Sequence, residues 1–101
     1  MTERDKPLLV KLCSDKAAFE VIPRRRVFYN MNMVRQLFEA GENFEILVYT
    51  PYIIIIKSRE GGEVTFSKDG RMLLKKISNA DEAAALAYGV LEIVSRAIKP
   101  K

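Results

Sequence analysis

From Phe44 onward, apolar and polar residues alternate in short runs broken by turn residues. Phe44, Ile46 and Val48 fall on one side of a period-two pattern, and Glu45, Leu47 and Tyr49 on the other. That period predicts a strand with two different faces. Thr50-Pro51 marks a corner. The run from Tyr52 to Lys57 is β-branched and apolar on both faces, as suits a central strand. Glu60-Gly61-Gly62 turns the chain, and Glu63 to Ser67 forms the next strand. Lys68-Asp69-Gly70 reads as a tight hairpin with its glycine at positive φ. Arg71 to Ile77 closes the series.

Upstream, Leu8 to Cys13 reads as a strand and Ser14-Asp15-Lys16 as a turn. Ala17 to Ile22 is a second strand or a short helix; Phe19 and Val21 around Glu20 favour the strand, which Pro23 ends. A helix follows, capped by Asn30 or Asn32, with Met33, Val34, Leu37 and Phe38 on one face and Gly41 placed to close it. The final helix is capped by Ser78 or Asn79, with Asp81 or Glu82 completing a capping box. Leu86, Val90, Ile93, Val94 and Ala97 line its apolar face, widened by Ala83, Ala84 and Ala87. Arg96 and Lys99 stand at its end, where the helix dipole favours cations. Gly89, costly inside a helix, is read as a close contact with the sheet. The element order predicts an α+β fold: an antiparallel β-sheet of about five strands with two α-helices on one face. Residues 1–101 form one domain, and the charged residues 1–6 are expected to be flexible.

Hydrophobic residues make up 49% of the 101-residue chain and charged residues 30%, a globular balance rather than a disordered one. The net charge of +4 suits an anionic partner such as nucleic acid, or equally a soluble domain with spare lysines. Cys13 is the single cysteine, so no internal disulfide can form and a reducing, cytoplasmic setting is expected. The thiol reads as structural rather than nucleophilic. The N-terminus lacks the apolar run of a signal peptide, and the longest apolar stretch, Tyr52 to Ile56, is too short to cross a membrane. With no histidine, His-assisted nucleophiles and the usual zinc sites are excluded. Gly61-Gly62 joins strands instead of opening a helix, so no phosphate loop is present. No cofactor and no enzymatic activity are expected.

YTPYIIII and, after a strand and a turn, VTFSKDGRMLL, followed by the helix from Asn79, resemble one repeat of the TATA-box-binding protein family over roughly residues 44–97. The resemblance implies half of a saddle, a module also found in the substrate-binding domain of a bacterial ribonuclease H type. Tyr49 and Phe66 match the spacing of that family's wedge phenylalanines, which insert between base steps in the minor groove. Tyr stands for one Phe, the proline is shifted by one residue, SKDG is one residue longer than the family's SSG, and Lys75-Lys76 replaces a small Thr-Gly pair.

The candidate nucleic-acid-binding residues are therefore Tyr49, Tyr52 and Phe66 for bases. Lys57, Arg59, Lys68, Arg71, Lys75 and Lys76, with the separate patch Arg24, Arg25 and Arg26, would serve for phosphates. Each has a plainer reading. Tyr49 and Phe66 would pack as core, and the cations would form a solvated rim that protects strand edges. Glu45, Glu60 and Glu63 intrude on the same half of the chain. Two functions remain open. One is a nucleic-acid-binding module, for DNA or RNA, that uses the open sheet face; it could form a homodimer that rebuilds a full saddle. The other is a protein-interaction or scaffold subunit that uses the same face.

Overall fold

The computed structural model describes residues 8–12, 18–23 and 27–98. The chain order is β1 (Leu8–Leu12), β2 (Phe19–Pro23), α1 (Met31–Ala40), β3 (Phe44–Tyr49), β4 (Ile53–Ser58), β5 (Glu63–Ser67), β6 (Met72–Lys75) and α2 (Ala80–Val94). A 3-10 turn, Ser95–Ala97, extends α2. The α+β class stands, and among the described residues the sheet has six strands in the spatial order β1-β2-β6-β5-β4-β3. Every pairing is antiparallel. The sixth strand is β2, whose alternation does prevail over a short helix. The charged start, Cys13, the Ser14-Asp15-Lys16 turn, Arg24-Arg25-Arg26 and Lys99 lie outside the described residues.

Both helices lie on one face of the sheet. α1 packs on β3 and β4, and α2 on β6, β2 and β1. Phe19, Val21, Ile54, Ile56, Val64, Phe66, Met72 and Leu74 point into the layer between sheet and helices and are buried. The cap of α1 is Asn30, whose side chain accepts from the Met33 N–H. Its buried stripe is Met31, Val34 and Phe38, and Met33 is exposed. That stripe is a cleaner i, i+3, i+7 repeat than the one the sequence suggested. Gly41 ends the helix in extended geometry instead of the left-handed one.

α2 is capped by Asn79, which accepts from the Glu82 N–H at 2.9 Å, while the Glu82 carboxylate accepts from the Ser78 N–H. The centre of its buried face is Ala83, Ala87, Val90 and Val94. The small residues are the contact that lets the helix approach the sheet, with Leu86 and Ile93 on the flank. Gly89 faces outward with no atom within 4 Å of where a Cβ would stand, so it marks no close approach. Close approach to α2 occurs instead at Gly62, whose missing Cβ would lie 2.6 Å from both Ile77 Cδ1 and Leu86 Cδ2. The 3-10 turn pins the start of α1, since the Asn30 N–H donates to the Ala97 carbonyl at 2.8 Å.

Candidate functional site

Among the described residues, the helices cover one face of the sheet and leave the other open. Cross-strand pairing shows what stands on it, because partners in an antiparallel ladder share a face. Ile54 pairs with Phe66 and with Tyr49, Phe66 pairs with Met72, and all of these belong to the helix side. Phe66 is fully buried, its ring edge-on to Tyr29 at 5.0 Å. It cannot reach a base.

Tyr49 sits on the same side for a specific reason. Register shifts between Ile46 and Val48, so β3 carries a bulge at Leu47. One extra residue reverses the facing of everything after it. Leu47 and Val48 are both exposed, while half-buried Tyr49 turns under the Arg35 guanidinium of α1, 5.3 Å from its ring centre. Neither expected wedge lies on the open face. Core packing holds Phe66, and the bulge redirects Tyr49.

The open face instead carries two informative rows. Glu45, Lys57, Glu63 and Lys75 are successive cross-strand partners on β3, β4, β5 and β6. They form a ladder of alternating sign and zero net charge at one end of the strands. The next row inward is Val48, Ile55, Thr65 and Leu73. Leu47, Ile53 and Ile22 add further half-exposed or exposed apolar side chains. The alternation of β4, β5 and β6 already encoded Ile53, Ile55 and Leu73 on the uncovered side. Only the bulge, silent in the sequence, adds Leu47 and Val48 together.

The remaining candidate cations divide between the two ends of the sheet. At the hairpin end stand Tyr52, Lys68 and Arg71. Tyr52 is 68% exposed, the Lys68 ammonium lies 5.9 Å from its ring centre, and the Lys68 N–H donates to the Tyr52 carbonyl. Arg71 is anchored to Asp69, its Nε 3.7 Å from a carboxylate oxygen. Gly70 has the expected positive φ, 92°, and packs beside Pro23 and Val27.

At the opposite end, Arg59 and Lys76 line a cleft of about 800 Å3 between α2 and the β4–β5 turn. Glu60, Glu82 and Glu92 share that cleft, so two cations stand among three carboxylates and no anion site results. Lys76 is held at φ 62°, in the left-handed region that glycine favours. Among the described residues no group of His, Cys, Asp or Glu is placed to hold a metal, and no helix is long and apolar enough to cross a membrane. No protein-family model, curated protein or solved structure matches the chain.

Proposed function

We propose that this chain is a small, non-enzymatic protein-interaction module whose open sheet face packs against an apolar polypeptide surface carrying its own alternating charges. The observation that carries this reading is the apolar character of β4 on both sides while only one side is covered. Ile54 and Ile56 lie under the helices, and Ile53 and Ile55 lie on the face that neither α1 nor α2 covers. An apolar centre with a charged border is the anatomy of a protein interface. The Glu45–Lys57–Glu63–Lys75 ladder argues in the same direction, since a surface for phosphates would carry one sign. The single cysteine fits a cytoplasmic setting for such a module.

A nucleic-acid reading keeps one specific support, the exposed Tyr52 beside Lys68 and Arg71. Such a group suits stacking on an unpaired base with phosphate contacts around it. On that reading the half-saddle likeness is one of shape, and the chemistry sits at the hairpin end rather than across the sheet. Fluorescence-anisotropy titration against labelled duplex DNA, single-stranded DNA and RNA, at low and moderate salt, separates the two. The interaction-module reading predicts no micromolar binding at either salt concentration. Micromolar binding that falls steeply with salt and is lost on charge reversal at Lys68 and Arg71 would overturn it. Lys75 is unsuited to that reversal because it is a rung of the ladder.

A further inference from the structure

The ladder has an even number of rungs and alternating signs, so reversing its order exchanges every acid for a base. A twofold axis parallel to the strands, lying between β4 and β5 in the plane of the interface, performs that reversal. It sets Glu45 opposite Lys75 of a second copy and Lys57 opposite its Glu63. The remaining two rungs pair by symmetry, in the self-complementary manner of an isologous contact. The same axis sets Val48 against Leu73 and Ile55 against Thr65. We infer that the open face binds a second copy of this chain, sheet face to sheet face, with the Glu45–Lys57–Glu63–Lys75 ladder fixing the register. This inference rests on the interaction-module reading and names its partner.

The geometry tolerates the twist of real sheets. Strands are about 4.8 Å apart, so the outer rungs lie roughly 7 Å from the axis. Aligned packing at about −30° displaces facing rungs by only about 4 Å, within the span of a lysine and a glutamate side chain. The ladder lies beside the β4–β5 turn, at the border of the face, where its charges keep water and the desolvation cost stays small. Four strands of about five residues outline a face of roughly 19 by 17 Å, which places the contact among small, reversible interfaces. Strand-to-strand joining at the β3 edge is disfavoured by the bulge at Leu47, which interrupts that edge.

Sedimentation equilibrium of the full chain tests this with a charge exchange. The wild-type chain should associate reversibly. Lys57→Glu alone sets two acidic pairs face to face, and Glu63→Lys alone sets two basic pairs. Each should weaken association on the order of tenfold or more. An equimolar mixture of the two variants restores every opposite pair across the interface and should associate like the wild type. The outer rungs, Glu45→Lys mixed with Lys75→Glu, supply the same test if an inner variant unfolds, as judged by circular dichroism.

Rescue in the mixture supports the proposal. Association that ignores these changes would place self-contact on another surface and overturn it. A wild-type chain that stays monomeric would also overturn it, yet leave the face to a different polypeptide. The nucleic-acid titration fails or succeeds independently of either result.

Discussion

Gly62→Ala and Gly89→Ala make the same chemical change and should move stability in opposite directions. At Gly89 the added methyl meets no atom within 4 Å. The substitution therefore acts through helix propensity alone, worth about 1 kcal/mol of stabilisation. For a chain of this size that raises the thermal midpoint by roughly 4–8 °C. At Gly62 the methyl would stand 2.6 Å from Ile77 Cδ1 and from Leu86 Cδ2. Carbon atoms pack at about 3.5–4.0 Å, so both side chains must retreat by about 1 Å.

Overpacking of this kind costs about 1–3 kcal/mol. The lost freedom of the unfolded chain offsets about 0.4–1 kcal/mol of it. Both side chains line the cleft, and half-buried Leu86 can give way more easily than buried Ile77. A net loss of about 1 kcal/mol and a lower midpoint follow. Urea unfolding followed by circular dichroism reads both variants, with an unchanged m-value expected for each. A Gly89→Ala variant that destabilises would mean that α2 touches something at that point. The cleft and the rotation of the helix would then both be misplaced.

Phe66→Ala should cost about 3–5 kcal/mol, whereas Tyr52→Ala should stay within about 0.5 kcal/mol of the wild type by the same assay. Equal effects would contradict the assignment of one ring to the core and the other to solvent. Deleting Leu47 removes the bulge residue and leaves Val48 opposite Ile55 and Tyr49 opposite Ile54, so the chain should fold with a small change in midpoint; loss of the fold would show that the bulge is structurally required. Burial pushes the Tyr29 phenol above its ordinary value of about 10. The folded chain thus holds that proton more tightly than the unfolded one. The contribution is complete below about pH 10 and is lost as pH rises through the folded-state value. The thermal midpoint should fall across that alkaline window, and Tyr29→Phe should remove that part of the fall.

Much of the architecture was legible because it rests on local chemistry. The β-branched run of β4, the Lys68-Asp69-Gly70 hairpin and the Asn79–Glu82 cap each declare themselves within a few residues. The site was less legible because it depends on register. One bulge in β3 carries Tyr49 to the helix side and Val48 to the open side, and nothing in the alternation of FEILVY marks where the extra residue sits. Reading YTPYIIII and VTFSKDGRMLL as a TATA-binding-like repeat would make wedges of Tyr49 and Phe66, yet alternation with Val64 already allowed Phe66 to be core, and packing decides in favour of core. Gly89 illustrates the same limit. A costly glycine in a helix suggests close contact, but which way it faces follows from the alanine stripe that the sheet selects. The charges of Glu45 and Glu63 looked like intrusions on a basic surface; only the strand pairing reveals them as alternate rungs.

Amide-resolved NMR of the full chain tests the open-face account most directly. Spectra would be recorded over a dilution series and again with a single-stranded oligonucleotide at moderate salt. The account predicts concentration-dependent shifts at Val48, Ile55, Lys57, Glu63 and Leu73, and none with the oligonucleotide. Shifts induced by the oligonucleotide at Tyr52, Lys68 and Arg71, with the open face unchanged on dilution, would contradict it.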